Sequence, residues 1–222
     1  MESKFNELQK KRRSIYAIGE NVTADKNDIF NLVKTTIQQS PTAFHSQTVR
    51  AVVLFGEKSN KVWDIVEANL RKVVDDDEAF KNTQAKIASF RAGFGTILYF
   101  TNTPKVHELE EAFPLYADNF ATWAEQGIGG AQQAVWTALA EQGIGASLQH
   151  YNPLIDDDIK KEFDLPAEWT LRAQMPFGSI EAPAGDKEFL DEAEQFKLID
   201  SLLVAIYSKS VEEKSQRFFM LH

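Results

Sequence analysis

The longest uninterrupted helical pattern in the chain runs from Phe113 to Gln142. Within it Phe120, Trp123, Gly127, Ile128, Ala131, Val135, Ala138 and Leu139 recur at three- and four-residue steps. That spacing stacks side chains on one face of a helix. The face is apolar, and its alanines and glycines let neighbouring backbones approach closely. A central, largely buried helix is therefore expected, with the remaining elements packed around it. Gly143 is placed to cap its end.

Other elements follow from the same periodicities. Lys4 to Arg13 has Phe5 and Leu8 at helical spacing and closes with Lys10, Lys11, Arg12 and Arg13, where cations offset the negative end of the helix dipole. Asp25 to Gln39 reads as an amphipathic helix ended by Ser40-Pro41. Val62 to Val74 reads as another. Ala51 to Phe55, Ile97 to Phe100, Ile144 to Tyr151 and Thr170 to Met175 have the apolar, β-branched or alternating character of strands. Lys187 to Ile206 is expected to be a terminal helix or arm. Long helices mixed with scattered strands predict an α+β layered fold, a central mixed or antiparallel sheet flanked by helices. No linker or low-complexity stretch divides residues 1–200, so one domain is expected there, with 201–222 as an extension. The sextet Ala124 to Gly129 recurs as Ala140 to Gly145; a single echo does not make a repeat architecture.

Composition removes several chemistries. Of 222 residues none is cysteine, so disulfides, a thiolate nucleophile, zinc knuckles and iron–sulfur clusters are out. Any electrons this chain moves must be carried by something bound to it. The net charge of −9 argues against nucleic acid or an anionic membrane surface as a partner. No stretch reaches the length of a membrane span, and the N-terminal residues have no apolar h-region. A cytoplasmic protein is expected.

The usual catalytic motifs are missing. There is no Gly-x-Ser-x-Gly elbow and no His-Glu-x-x-His helix. Gly127-x-Gly129 and Gly143-x-Gly145 fail as dinucleotide fingerprints, because Gln132 and Leu148 stand at the third glycine position. His107, Glu110 and Glu111 have helical metal-ligand spacing, but one half-site reads as a solvated helix face, and no metal is expected. Asp75 to Glu78 and Asp156 to Asp158 lack the rest of an EF-hand and read as turn and helix-start residues. Arg12, Arg13 and Ser14 offer two guanidiniums and a hydroxyl at a helix exit. They are either solvated cations neutralising a dipole or a side-chain fork for a phosphate. A nucleic-acid patch over Lys10 to Arg13 is disfavoured by the acidic remainder.

Four ordered blocks carry a resemblance: Arg12-Arg13-Ser14-Ile15-Tyr16; Ser40 through Gln47, with Pro41, Thr42, Ala43, Phe44, His45 and Ser46 between; Gly143 through Pro153; and Met175-Pro176-Phe177-Gly178. Over roughly residues 4–200 their order and spacing resemble the nitroreductase family of FMN-dependent oxidoreductases. The Gln149-His150-Tyr151-Asn152-Pro153 string is similar to the subgroup named for the yeast fatty-acid repression mutant protein.

The resemblance implies that Arg12, Arg13 and Ser14 grip the phosphate and ribityl end of FMN. It implies that the Pro41–Gln47 loop lines the ring and ribityl, with Ser46 and Gln47 as polar contacts, and that backbone amides around Gln149, His150 and Tyr151 face the flavin N5. Tyr16 stands where relatives often have a cationic group. His45 stands where many have asparagine. Lys187 would supply a terminal phosphate contact, and Gln195 stands where an arginine is common. No side chain need act as an obligate acid or base, since the chemistry resides at N5. NADH or NADPH and a nitroaromatic or quinone would use the same space in turn, in a homodimer with the flavin at the interface. The alternative is a flavin-binding redox sensor with little turnover, linked to a lipid or stress response.

Overall fold

The computed structural model describes residues 3–199. Compact packing divides the described residues into two units that part between Ala184 and Gly185. The first unit contains α1 (Lys4–Lys11), β1 (Ile18–Gly19), α2 (Lys26–Gln39), β2 (Val49–Phe55), α3 (Glu57–Arg71), α4 (Asp77–Arg91) and β3 (Gly95–Asn102). It continues with α5 (Thr103–Ala112), α6 (Ala117–Glu141), β4 (Gly145–Ala146), α7 (Asp156–Glu162) and β5 (Trp169–Ile180). The described part of the second unit contains one short helix, α8 (Glu192–Gln195).

The fold is α+β, as expected. Every pairing between the named strands is antiparallel, in the order β1-β5-β3-β2, with β4 also on β5. Side chains alternate across a sheet, so β3 feeds two cores. Ile97 and Tyr99 join Ala173, Met175 and Phe177 of β5 against α2 and α6, through Ile29, Val33, Ile128, Val135 and Leu139. Leu98, Phe100 and Leu171 point the other way, against Trp63 and Val66 of α3, Ile87 and Phe90 of α4 and Ile159 of α7. The result is three layers. Truncating a buried aromatic such as Phe90 or Phe100 costs about 3–5 kcal/mol. Trp63 Nε1 donates to Thr96 Oγ1 at 3.0 Å, and Ser59 Oγ lies 2.7 Å from the same hydroxyl, so the polar atoms under α3 are paired.

Several elements differ from expectation. The helix expected from Val62 begins at Glu57, directly after Gly56, whose φ of +55° turns the chain out of β2. α4 has no counterpart in the expected elements beyond its start, where Asp76 caps the amide of Ala79 at 2.7 Å. The helix expected from Phe113 begins at Ala117, after a 3₁₀ turn over Pro114–Tyr116.

The strand expected over Ile144 to Tyr151 is broken. Only Gly145–Ala146 forms a ladder; Ser147 N–H reaches Pro176 O at 3.3 Å, but Pro176 has no N–H to return the bond. The same register resumes at the isolated Gln149–Gln174 bridge. In the arm expected from Lys187 to Ile206, only Glu192–Gln195 is helical among the described residues, with Asp191 capping Ala193 N–H at 2.8 Å. Phe196 is already extended. One isolated turn has too few hydrogen bonds to offset the nucleation cost of a helix. Residues 200–206 of that expectation lie outside the described residues.

Candidate functional site

α1 ends at Lys11, and Arg12 is its extended C-cap. The chain then crosses to β4: Ser14 bridges Ala146 in parallel and Ile15 N–H donates to Ala146 O at 2.9 Å. Arg12 is held by stacking, its guanidinium carbon 4.5 Å from the centroid of the Trp136 ring. Trp136 on α6 is fixed in turn by its own N–H, which donates to Ala146 O at 3.1 Å. Arg12 Nε is buried and has no hydrogen-bond partner among the described residues. Burial first, and the charge of Arg13 second, depress the Arg12 pKa. An anion between the two guanidiniums would relieve both penalties. Arg13 and Ser14 are half-buried beside it, whereas Tyr16 is exposed, its ring 6.4 Å from that of Phe90.

The Pro41–Gln47 loop follows α2, whose end is closed by Ser40, with its hydroxyl donating to Thr36 O at 2.9 Å. Phe44, His45 and Gln47 all have left-handed backbone, with φ of 56°, 51° and 48°. Three such residues in four positions cost free energy unless their surroundings impose them. Here His45 N–H donates to Thr42 O at 2.9 Å, Ser46 N–H to Ala43 O at 3.0 Å and Gln47 N–H to Thr42 Oγ1 at 3.0 Å. Gln47 O accepts from Arg50 at 2.7 Å, and the Gln47 amide nitrogen lies 3.1 Å from His45 Nε2. Phe44 is seated among Phe113, Tyr116, Phe120 and Trp123, with centroids 4.9–5.9 Å away. The loop is thus strained and clamped at once. Ile37, Gln38, Ser40, Thr42, Gln47 and Arg50 border a cavity of about 190 Å³ beside it.

Gln149 is buried, Tyr151 half-buried and His150 exposed. Of their three backbone amides, Gln149 N–H donates to Gln174 O at 2.7 Å and Tyr151 N–H to Gln174 Oε1 at 2.9 Å. The following Asn152–Pro153 bond is cis. Lys187 belongs to the second unit, with its Nζ 5.0 Å from the Phe189 ring centroid.

The fold therefore joins the Arg12–Ser14 fork to the β4 segment and rests both fork and loop on α6. The fork meets α6 at Trp136. The loop meets it at Gly127, where an added Cβ would lie 3.2 Å from Thr42 Cγ2. These contacts are nine residues apart on one helix, about 13 Å along its axis. Trp136 and Gln174 escaped the sequence reading. Gln174 carried a signal, a polar residue inside an apolar strand; Trp136 lay off the stripe used to identify α6.

Elsewhere, His107 and Glu110 pair at 2.8 Å on the exposed face of α5. No group of three or more His, Asp or Glu side chains is arranged to hold a metal ion among the described residues. No helix among them is long and apolar enough to cross a membrane.

Residues 10–179 match the model of the nitroreductase family. Two Saccharomyces cerevisiae proteins are similar: HBN1, 38% identical over 182 residues (81% of this chain and 89% of that protein), and the nitroreductase FRM2, 31% identical over 189 residues (81% and 90%). Among solved structures, the nitroreductase CinD from Lactococcus lactis in complex with nicotinic acid superposes with a TM-score of 0.82 at 49% identity. The CinD complex with 4-nitrophenol gives 0.81 at 47%. Both cover 88% of this chain and 100% of theirs.

Proposed function

The chain belongs to the nitroreductase family, in the subgroup of the yeast fatty-acid repression mutant protein, and we propose that it is an FMN-dependent NAD(P)H oxidoreductase acting on nitroaromatic or quinone acceptors. The observation that carries this reading is Arg12: a guanidinium stacked on Trp136, with a buried, unpartnered Nε and a second guanidinium next in sequence. Such a group is built for an anion the protein does not itself supply.

FMN, when bound, supplies a two-electron carrier that takes hydride from the reduced nicotinamide and passes electrons to the acceptor. Arg12 and Arg13 bind its phosphate, with Ser14 donating alongside. The Pro41–Gln47 loop orients the ring system; Thr42 and Arg50 hold its backbone from within and His45 engages the Gln47 amide nitrogen, which leaves the Ser46 hydroxyl and the Gln47 side-chain oxygen to the ligand. Tyr16, exposed at the edge, borders the entry. No side chain is assigned an obligate proton transfer.

CinD binds both nicotinic acid and 4-nitrophenol, an aromatic acid and a nitroaromatic. This supports one shared space used first by the donor and then by the acceptor, in a ping-pong sequence. Membership of the nitroreductase family supports a homodimer with the flavin between protomers.

The decisive experiment is an absorption spectrum of the purified protein before and after denaturation, followed by steady-state assays with NADH or NADPH and several acceptors. A yellow protein that releases FMN and turns over is expected. A folded preparation that stays colourless with added FMN overturns the reading. Full flavin occupancy without turnover favours the redox-sensor reading instead.

A further inference from the structure

Gln174 is fully buried in β5 and engages the 149–151 segment with both its backbone and its side chain. Its backbone exchanges two hydrogen bonds with Gln149, at 2.7 and 2.9 Å. Its Oε1 accepts from Tyr151 N–H at 2.9 Å, and its Nε2 donates to Asn152 Oδ1 at 3.1 Å. Asn152 is itself anchored, donating to Leu171 O and to Asp156 Oδ1, each at 2.9 Å.

The bond to Leu171 O falls at a β-bulge. Ala173 stands opposite Tyr99 and Leu171 opposite Phe100, so Arg172 is the extra residue; it turns outward to Glu125 of α6 at 2.7 Å. A bulge interrupts the ladder, and Asn152 takes up the Leu171 carbonyl there. A buried carboxamide destabilises a fold unless its groups are bonded. Here each is, through partners that converge on one short segment.

Successive amides of an extended segment point to opposite sides. Gln149 and Tyr151 turn theirs toward β5, so the His150 N–H points away from β5, and it has no acceptor among the described residues. We infer that Gln174 is the positioning residue of this segment: by taking the amides on both sides, it leaves the His150 N–H as the one donor turned outward to the bound cofactor. This rests on the reading above, in which FMN lies against residues 149–151.

The test is amide hydrogen exchange, followed by NMR on the full chain with and without FMN. Gln149 and Tyr151 should exchange slowly in both states, and His150 should lose its fast exchange only when FMN is present. Two variants extend it. Gln174→Met removes both side-chain bonds at similar length. Gln174→Glu, protonated when buried, keeps an acceptor and a donor. In flavin-loaded Gln174→Met, kcat should fall by about tenfold or more with KM for the nicotinamide held, and the FMN midpoint potential should move; Gln174→Glu should restore both. Unchanged His150 exchange in a flavin-loaded wild type overturns the inference, as does a Gln174→Met protein with wild-type potential and kcat. If Gln174→Met fails to fold, the wild-type exchange data decide. A wild-type chain that takes up no FMN overturns the flavin reading itself, and this inference with it.

Discussion

Arg12 and Trp136 form a stacked pair, guanidinium carbon to ring centroid 4.5 Å, in which the indole N–H is committed to Ala146 O. The pair links the end of α1, the C-terminal part of α6 and the end of β4. Trp136→Phe keeps a ring under Arg12 but removes the bond to Ala146, a loss of about 1 kcal/mol. Trp136→Leu also removes the cation–π contact, about 0.5–2 kcal/mol more. FMN affinity, measured by quenching of flavin fluorescence, should fall from wild type to Phe to Leu. Equal affinities would disconnect the pair from the cofactor.

Replacing both Arg12 and Arg13 with alanine should strip the flavin and leave the fold in place, because the cores beneath are apolar and involve neither residue. Flavin content after purification and the thermal midpoint check this together. Full occupancy in the double variant would refute the phosphate assignment.

Gly127→Ala should separate stability from binding. In mid-helix, alanine is favoured over glycine by about 1 kcal/mol, yet the new Cβ meets Thr42 Cγ2 at 3.2 Å. The thermal midpoint should hold or rise while FMN binds more weakly, since the clamped loop is displaced. A variant with wild-type affinity would show that the loop can give way without cost to the ligand.

His45→Asn should change the choice of acceptor more than the affinity for FMN. Asparagine enters left-handed backbone readily, and His45 sits at φ 51°, so the loop should survive while the ring contact to Gln47 is lost. Ratios of kcat/KM across a panel of nitroaromatics and quinones are the measurement. Identical ratios in variant and wild type would count against a role for His45 in substrate selection.

Burial raises the Asp156 pKa, opposed in part by the bond from Asn152. The folded chain therefore holds this proton more tightly than the unfolded chain. Its contribution to stability is complete below the unfolded pKa and is lost as pH rises through the raised value. Asp156→Asn removes the penalised charge and keeps an acceptor for Asn152. The variant should gain on wild type in urea midpoint between about pH 4 and pH 7. A constant difference across that range would refute the assignment.

The three-layer plan was largely legible, because α2, α6 and the strands β2, β3 and β5 carry strong periodicities. What was not legible depended on partners far along the chain. The sextet Ala124 to Gly129 is wholly helical, whereas in its copy Gly143 takes φ +75° and the chain leaves α6 for β4. Identical letters gave two backbones because the first copy lies inside α6, while the second stands where the helix runs out. Pro176, nearly thirty residues beyond Ser147, breaks a strand that its own letters predict. At the candidate site, the fork was visible as paired cations and the loop only through the family resemblance. The stacking of Arg12 on Trp136 and the grip of Gln174 on Tyr151 were not, since each joins residues whose proximity only the fold creates.

The twelve residues of β5 serve neighbours on both edges, and beyond the bulge at Arg172 its side chains alternate with a period of two. Removing one residue between Ala173 and Gly178 would invert the strand's facing beyond the cut. Met175 and Phe177 would exchange layers with their neighbours, and the β4 register would slip with them. A change of length between Ala173 and Gly178 therefore disturbs both cores at once, whereas one in a surface loop disturbs neither.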